Sequence, residues 1–281
     1  MVETTYRDAL RQALLDEMTS NPDVIIMGEE VGRYGGAYGV TKDLISQFGS
    51  ERVIDTPISE AAIVGAAVGA AMAGLRPVAE LMYVDFIGMT MDQLANQAAK
   101  IRYMFGGQIG VPMVLRQAMR QPDPVVFIEH KGLYTMKGEL DVEAEADPWG
   151  QAKIMREGDD LVIVSYSRQL HYALAAAETL AKSGVQACVI DLRTLNPLDF
   201  ETIRPQVERA GRAMVVAESV MTCGVAAELA SRISEECFDF LEDPVIRVAG
   251  EDIPISVSPL LEKNSVPTPQ LIVDAAKMML A

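Results

Sequence analysis

Apolar residues recur with two different spacings near the start of the chain. Within Tyr6–Met18, the residues Leu10, Leu14 and Met18 recur every fourth position, which places them on one face of a helix. Val24–Met27 is instead a continuous apolar run, as found in parallel strands that are buried on both faces. The pattern therefore predicts an amphipathic helix followed by a buried strand.

The same alternation continues as far as residue 128. The predicted elements are a short helix at Asp43–Phe48, a strand at Arg52–Ile54, a helix at Ala61–Gly74, a strand at Pro77–Met82, a long helix at Phe86–Ile101, and strands at Pro112–Leu115 and Val125–Ile128. Strands and helices that alternate in this way are typical of a parallel, doubly wound sheet.

The pattern lapses in the acidic stretch 129–150, which we interpret as a linker between two domains. Beyond it, strands and helices are expected in turn at Leu161–Ser165, Gln169–Lys182, Ala187–Asp191, Asp199–Glu208, Ala213–Ala217, Gly224–Phe240, Val245–Val248 and Pro269–Leu280. The predicted fold class is therefore α/β, with two doubly wound, mostly parallel sheet domains at 1–128 and 151–281.

Composition and charge limit the classes of function. The net charge of −16 and the lack of a Lys/Arg-rich run argue against a nucleic-acid partner. The three cysteines show no CxxC spacing, which favours a reducing, cytoplasmic compartment. Charged residues near Met1 argue against a signal peptide, and the apolar run Ala61–Leu75 is too short to span a membrane. We therefore expect a cytoplasmic protein.

The helix predicted after residue 59 is the most unusual element. Ten of the fourteen residues in Ala61–Gly74 are Ala or Gly, and Gly65 and Gly69 lie one turn apart, so another backbone can approach this face closely. Ser59 is expected to cap the helix, which places Glu60 in its first turn. Glu60 then has two interpretations: an acid favoured by the helix dipole, or a functional carboxylate.

A glycine-rich segment, Gly28–Gly39, follows the first predicted strand. Its spacing matches neither GxGxxG nor GxxxxGK[ST], the two phosphate-binding patterns. Glu29 and Glu30 would also repel a phosphate group. This segment is therefore interpreted as a surface loop.

Several segments together resemble one protein family almost from end to end. They are GEEVGRYGGAYGVT, ERVIDTPISEAAIVGAAVGAAMAGLRPVAE, DQLANQAAKIRYMFGG, PVVFIEHKGLY, VIDLRTLNPLD, VVAES and VPTPQLIVDAAK. They resemble the beta subunit of thiamine-diphosphate-dependent 2-oxo acid dehydrogenases, and DQLANQAAKIRYMFGG and IEHKGLYTMKGE are closer to the acetoin branch. The resemblance implies a transketolase-like fold with a pyrimidine-binding domain and a transketolase C-terminal domain.

The resemblance also implies roles for three residues. Glu60 matches the catalytic glutamate, which hydrogen-bonds the aminopyrimidine ring of the cofactor and favours the imino tautomer that deprotonates the thiazolium carbon. Met82 matches a residue that lines the aminopyrimidine pocket, and Phe86 matches the aromatic residue that packs on that ring. The alternative for Met82 and Phe86 is ordinary core packing.

The family holds the diphosphate and magnesium through a GDG motif followed by NN, and this chain has no GDG. The resemblance therefore implies an alpha subunit that supplies these ligands, in an assembly of two alpha and two beta subunits. The expected reaction is cleavage of acetoin or a 2-oxo acid such as pyruvate, with transfer of the acyl unit to a lipoyl-bearing acyltransferase core. Two alternatives remain: another transketolase-like half-enzyme, and a non-catalytic assembly subunit that docks the carrier core through residues 151–281.

One stretch departs from the family pattern. Near Gln117 a family segment that carries a histidine and a further strand is missing, and His130 and His171 are not placed to replace that histidine. Loss of a central strand would leave its neighbours with unpaired edges, so activity is not expected if the segment is truly deleted rather than omitted. A loop that holds a potassium ion in some relatives matches Ala118, Met119, Gln121 and Asp123, whose backbone and carboxylate oxygens suit this cation.

Overall fold

The computed structural model describes residues 2–104, 123–140, 148–255 and 258–280. The chain divides into two compact units, Met1–Asp147 and Pro148–Ala281. Each unit has its own sheet and its own buried cores. In the part of the chain that the structure describes, no helix is both long enough and apolar enough to cross a membrane.

The first unit is built on a three-stranded parallel sheet. Its elements in chain order are β1 (Val2–Thr5), α1 (Tyr6–Ser20), β2 (Val24–Gly28), α2 (Leu44–Phe48), β3 (Val53–Asp55), α3 (Glu60–Met72) and β4 (Arg76–Glu80). The strand order is β3-β2-β4, so β2 is central, and all five of its residues are buried. The predicted helix and buried strand at the start of the chain are thereby confirmed.

Side chains of β2 alternate between two apolar cores. Ile26 packs in the core that contains the α1 residues, among them Leu14. Ile25 and Met27 point to the other face and pack with residues of α3, among them Val64. Because α1 and α3 bury apolar residues on opposite faces of one sheet, the first unit has the layered arrangement of an α/β domain.

The long helix predicted at Phe86–Ile101 is three helical segments of different type. A 3₁₀-helix at Val84–Thr90 leads into a π-helix at Asp92–Ala98 and a short α-helix, α4 (Ala99–Met104). The Thr90 hydroxyl donates a hydrogen bond to the Ile87 carbonyl oxygen (2.8 Å), an alternative bond that competes with a regular α-helical ladder. The prediction of a helical region was correct, but the prediction of one regular helix was wrong.

The prediction of a strand at Val125–Ile128 was also wrong. Among the described residues, this segment pairs with no strand, and the side chains of Val126, Phe127 and Ile128 are exposed. A strand requires a neighbour that completes its hydrogen bonds, and apolar composition alone cannot supply one. The predicted strand at Pro112–Leu115 and the region around Gln117 lie outside the described residues.

The first unit extends further than the sequence suggested. Strand β5 (Lys137–Leu140) pairs antiparallel with β1, with Val2 opposite Leu140, and a 3₁₀ turn at Lys131–Leu133 precedes it. Residues 131–140 therefore belong to this unit, although the predicted linker began at Glu129. The sequence does not predict β5 because a short polar strand shows no apolar periodicity.

The second unit contains a five-stranded sheet of order β10-β9-β7-β8-β6. Its elements are β6 (Lys153–Arg156), β7 (Leu161–Ser165), α5 (Ser167–Ala181), β8 (Ala187–Asp191), α6 (Phe200–Ala210), β9 (Ala213–Val220), α7 (Val225–Glu236), a 3₁₀ turn (Phe238–Phe240), β10 (Ile246–Gly250), α8 (Pro259–Ser265) and α9 (Pro269–Met279). All pairs are parallel except β6 with β8. The four predicted strands and four predicted helices are present within a few residues.

Candidate cofactor site

Glu60 is the first residue of α3 and is partly buried. Ser59 occupies the predicted N-cap position, but its side chain makes no capping hydrogen bond. Residues 57–59, which precede Glu60, are exposed, and the side chain of Ile58 is 82% exposed. Residues 57–59 therefore do not hold the start of this helix in place, either by a capping hydrogen bond or by packing.

The glycine-rich loop lies against the segment that leads to Glu60. The Asp55 carboxylate accepts hydrogen bonds from the backbone N–H groups of Gly32 (2.6 Å) and Arg33 (3.2 Å). The Thr56 N–H donates to the Gly28 carbonyl oxygen (2.9 Å). These three hydrogen bonds connect the glycine-rich loop, from Gly28 to Arg33, to residues 55–56.

This contact gathers negative charge around Glu60. Partial burial and the neighbouring carboxylates of Glu60 and Glu30 raise the pKa of Glu29. Like charges at close range disfavour joint ionisation, and they also repel an anionic ligand. The surroundings of Glu60 therefore suit a neutral or cationic group better than a phosphate group.

Phe86 lies on the 3₁₀-helix, and its side chain is 44% exposed. Its ring packs edge-on against Tyr83, with ring centroids 6.2 Å apart. Helix α3, which Glu60 begins, packs against both the 3₁₀-helix and the π-helix. The structure thus brings Glu60 and Phe86 onto elements that are in contact, and it leaves the Phe86 ring accessible rather than buried in a core.

Met82 lines a cavity of about 200 Å³ beside β4. Apolar walls come from several elements, among them Val64 of α3 and Val78 of β4. Two carboxyl groups, Glu80 and Glu129, also line it. Glu60 and Phe86 are not part of this wall, so the structure does not place all three predicted residues around one cavity.

Glu80 and Glu129 form a pair of carboxyl groups that no sequence pattern predicts. Burial, and then the charge of Glu129, raise the pKa of Glu80 to about 7. Burial also raises the pKa of Glu129, although the Tyr134 hydroxyl partly offsets this by donating a hydrogen bond to its Oε2 (2.5 Å). Each glutamate directly follows a run of apolar residues, PVA before Glu80 and VVFI before Glu129, and this position is the signal that the sequence offers.

The described residues suit only part of the predicted cofactor. The Phe86 ring and the Glu60 carboxylate match an aromatic ring that carries a hydrogen-bonding nitrogen. No group of three His, Cys, Asp or Glu side chains within the described ranges could hold a metal ion. Of the predicted potassium ligands, Asp123 is exposed, whereas Ala118, Met119 and Gln121 lie outside the described residues.

The two histidines have local surroundings that differ. His130 accepts a hydrogen bond at Nδ1 from the Gly132 N–H (3.0 Å) and so caps the 3₁₀ turn that follows. His171 lies exposed in the first turns of α5. The geometry of His130 is that of a structural cap.

Two family profiles match the chain over the two units. The transketolase pyrimidine binding domain matches residues 2–119, and the transketolase C-terminal domain matches residues 150–272. The beta subunit of acetoin:2,6-dichlorophenolindophenol oxidoreductase from Cupriavidus necator is 39% identical, over 96% of this chain and 95% of that protein. The chain belongs to the family of acetoin and pyruvate dehydrogenase beta subunits.

Pyruvate dehydrogenase beta subunits of this family show similar identity. The mitochondrial E1 component subunit beta-2 of Oryza sativa subsp. japonica is 41% identical, over 98% of this chain and 86% of that protein. The E1 component subunit beta of Rickettsia bellii is 38% identical, over 98% of both chains. The alignment with the rice protein covers 322 positions, more than the 281 residues of this chain, so the relative has residues for which this chain has no counterpart.

A solved structure confirms the predicted transketolase-like fold. A split-gene transketolase, described as an inactive beta4 tetramer, superposes with a TM-score of 0.78 over 98% of this chain and 97% of that chain. The sequence identity is 19%, so this likeness concerns the fold alone. The prediction of two α/β domains with mostly parallel sheets is correct.

Proposed function

We propose that this chain is the beta subunit of a thiamine-diphosphate-dependent enzyme that cleaves acetoin or a 2-oxo acid such as pyruvate. In this proposal, an alpha subunit completes the active site in an assembly of two alpha and two beta subunits. The acyl unit passes to a lipoyl-bearing acyltransferase core, and the assembly works in the cytoplasm. Family membership supports this reading, and the sequence features of the acetoin branch favour acetoin.

The observation that carries the proposal is the position of Glu60, a partly buried carboxylate at the start of α3, a helix in contact with the 3₁₀-helix that carries the accessible Phe86 ring. Glu60 holds and exchanges a proton with a ring nitrogen of the aminopyrimidine. Phe86 and Met82 present apolar surfaces that orient this ring and exclude water from it. When bound, thiamine diphosphate supplies the carbon nucleophile for attack on the substrate carbonyl.

The same site excludes the diphosphate from this chain. Glu29 lies close enough to Glu60 for their charges to interact, and it would repel the diphosphate, so in this proposal the alpha subunit holds the diphosphate together with most of the magnesium coordination. A potassium ion at Ala118, Met119, Gln121 and Asp123 is a further part of the proposal, with backbone and carboxylate oxygens as ligands.

Glu60→Gln tests the proposal in the enzyme assembled with its alpha subunit. The amide keeps the size and hydrogen-bonding capacity of the side chain but cannot exchange a proton. The rate of deuterium exchange at the thiazolium carbon, followed by quench and NMR, should fall about 10²–10⁴-fold, as for loss of a general acid–base group. Assembly and cofactor binding should persist.

Glu201→Gln is the matched control, because Glu201 is also a first-turn glutamate, on α6 of the second unit. It should leave the exchange rate unchanged. An assembled Glu60→Gln variant that exchanges at the wild-type rate would remove Glu60 from the reaction. Glu60 would then be a first-turn acid that serves the helix dipole, worth under about 1 kcal/mol of stability.

A second candidate function is a non-catalytic assembly subunit. The alignments favour it, because the relative contains residues that this chain lacks, and the family segment expected to be missing near Gln117 is the one that carries a histidine. This candidate predicts that the chain joins an alpha subunit without conferring any turnover. Turnover after mixing with an alpha subunit would exclude it.

A further inference from the structure

The segment that leads into Glu60 is hydrogen-bonded to the glycine-rich loop, whereas the helix that Glu60 begins packs on the sheet. Residues 57–59 are exposed, and the Ser59 side chain makes no bond to the helix that follows. Directly before them, Asp55 and Thr56 make the hydrogen bonds to the glycine-rich loop described above. This junction therefore holds the backbone just before Glu60, while Ile63 and Val64 anchor the helix after it in the core.

The Asp55 carboxylate is the centre of the junction. Each of its oxygens accepts one backbone N–H, and its negative charge strengthens both bonds. The two donors, Gly32 and Arg33, are consecutive, so the carboxylate fixes the orientation of the loop as well as its distance. Glu29 lies in the same loop, close enough to Glu60 for their charges to interact. The junction therefore also holds the Glu29 carboxylate near Glu60.

The loop is shaped to fit this carboxylate. A Cβ atom at Gly32 would come within 2.8 Å of the Ile45 Cδ1 and within 3.0 Å of both Asp55 carboxylate oxygens. Only glycine lets the backbone N–H approach Asp55 closely at this position. The next turn of the loop is stabilised separately, because the Thr41 hydroxyl donates to the Val31 carbonyl oxygen (2.8 Å).

We propose that Asp55 is a positioning residue for Glu60: its carboxylate fastens the glycine-rich loop to the segment that leads into α3 and so holds the Glu60 carboxylate in place. This inference rests on the proposed role of Glu60. A displacement of the reacting group by about 1 Å can cost about 10²-fold in rate, so loss of the junction should be visible without any change in Glu60 itself.

The first test measures the junction directly, in the full chain without cofactor. In Asp55→Ala, the Gly32 and Arg33 amides lose their acceptor, and their hydrogen exchange should become at least tenfold faster while amides of the central strand β2 stay protected. Asp55→Asn keeps one acceptor oxygen and should give an intermediate rate. Asp43→Asn is the control, because Asp43 is exposed in the same unit and makes no capping bond. Unchanged exchange in Asp55→Ala would overturn the proposal.

The second test separates positioning from a general structural effect. In the enzyme assembled with its alpha subunit, Asp55→Ala should lower thiazolium proton exchange about 10²-fold. If Asp55 acts through Glu60, the double variant Asp55→Ala/Glu60→Gln should be no slower than Glu60→Gln alone. If the double variant is slower than Glu60→Gln by the full factor that Asp55→Ala causes alone, Asp55 acts independently of Glu60, and the proposal is overturned.

Gly32→Ala provides a second way to open the same junction with Asp55 intact, and it keeps the proposal testable if Asp55→Ala does not fold. It should reproduce the Asp55→Ala results, whereas Gly138→Ala should have no effect, because a Cβ atom at Gly138 meets no other atom within 4 Å. The two proposals fail differently. Wild-type proton exchange in Glu60→Gln contradicts the role of Glu60, whereas a slow Glu60→Gln variant with wild-type rates in Asp55→Ala and Gly32→Ala contradicts only the role of Asp55.

Discussion

Two partly buried carboxyl groups make the first unit sensitive to pH. Glu80 and Glu129 face one cavity, and burial raises the pKa of both groups. The folded chain therefore binds a proton on Glu80 more tightly than the unfolded chain does. By linkage, its contribution to stability is fully present below the ordinary value of 4.5 and is lost as the pH rises to about 7.

Glu80→Gln should remove much of this pH dependence. The wild-type free energy of unfolding should fall by roughly 3 kcal/mol at most between these pH values, because one pKa unit corresponds to about 1.4 kcal/mol. The variant should be similar to the wild type at pH 5 and more stable at pH 8, since a neutral amide needs no counter-ion. Urea unfolding of the full chain across this pH range measures the difference.

Glu51→Gln is the control, because Glu51 is exposed in the same unit. It should leave the pH profile of unfolding unchanged. If Glu80→Gln shows the wild-type slope, the Glu80 carboxyl does not hold a proton in the folded chain near neutral pH.

At the residue scale, the sequence identified Glu60 but not its surroundings. Glu60 is noticeable because it is the lone charge before an apolar helix, which is a local property. Glu80 and Glu129 come together only through folding, as do Asp55 and Gly32. A bond between residues far apart in the chain leaves no spacing pattern that one sequence can reveal.

At the element scale, α3 presents an uncovered face of small side chains. A Cβ atom at Gly69 would meet nothing within 4 Å, and one at Gly65 would meet only the Gln93 Cγ, at 3.5 Å. Ala62, Ala66 and Gly69 are exposed, although α3 has almost no polar surface. Exposed apolar surface of this kind is typical of a subunit contact.

Gly69→Leu should disrupt assembly with the alpha subunit. Leucine favours the helix by about 0.5–1 kcal/mol over glycine and has room within this chain, so the isolated beta chain should fold normally. Its bulk would instead prevent close approach by a partner backbone. Analytical ultracentrifugation of the mixed subunits at matched concentrations measures the change.

Ala175→Leu gives the comparison, since Ala175 is exposed on α5 of the second unit. It should assemble as the wild type does. An unchanged oligomer mass for Gly69→Leu would show that this face of α3 is not at the subunit contact.

Elements that are buried on both faces were predicted best. The first four residues of strands β7 and β8 are apolar and buried, as their composition requires, so the bounds of both strands were predicted correctly. Strands β1 and β5 were missed because they are polar and pair only with each other. The 3₁₀ and π geometry of residues 84–98 was missed because an apolar pattern predicts which face is buried, not how tightly the helix winds.

For the whole molecule, we predict that the isolated chain binds thiamine diphosphate poorly. Its described residues offer surfaces for the ring but no metal site, and the carboxylate of Glu29 interacts with that of Glu60. Calorimetry should detect little heat for the beta chain with magnesium and the cofactor, and clear binding after an alpha subunit is added. Tight magnesium-dependent binding by the beta chain alone would contradict a site divided between subunits.

The pairing of β1 with β5 has a consequence for how the chain folds during synthesis. Residue Val2 lies opposite Leu140, so this contact joins the two ends of the first unit. A ribosome must release almost the whole unit before β1 finds its partner, and the emerging N-terminal strand stays unpaired until then. In the second unit, β7 and β8 are joined by a single helix and can pair soon after they emerge. The first unit should therefore be the slower to complete, and the one that depends more on chaperones.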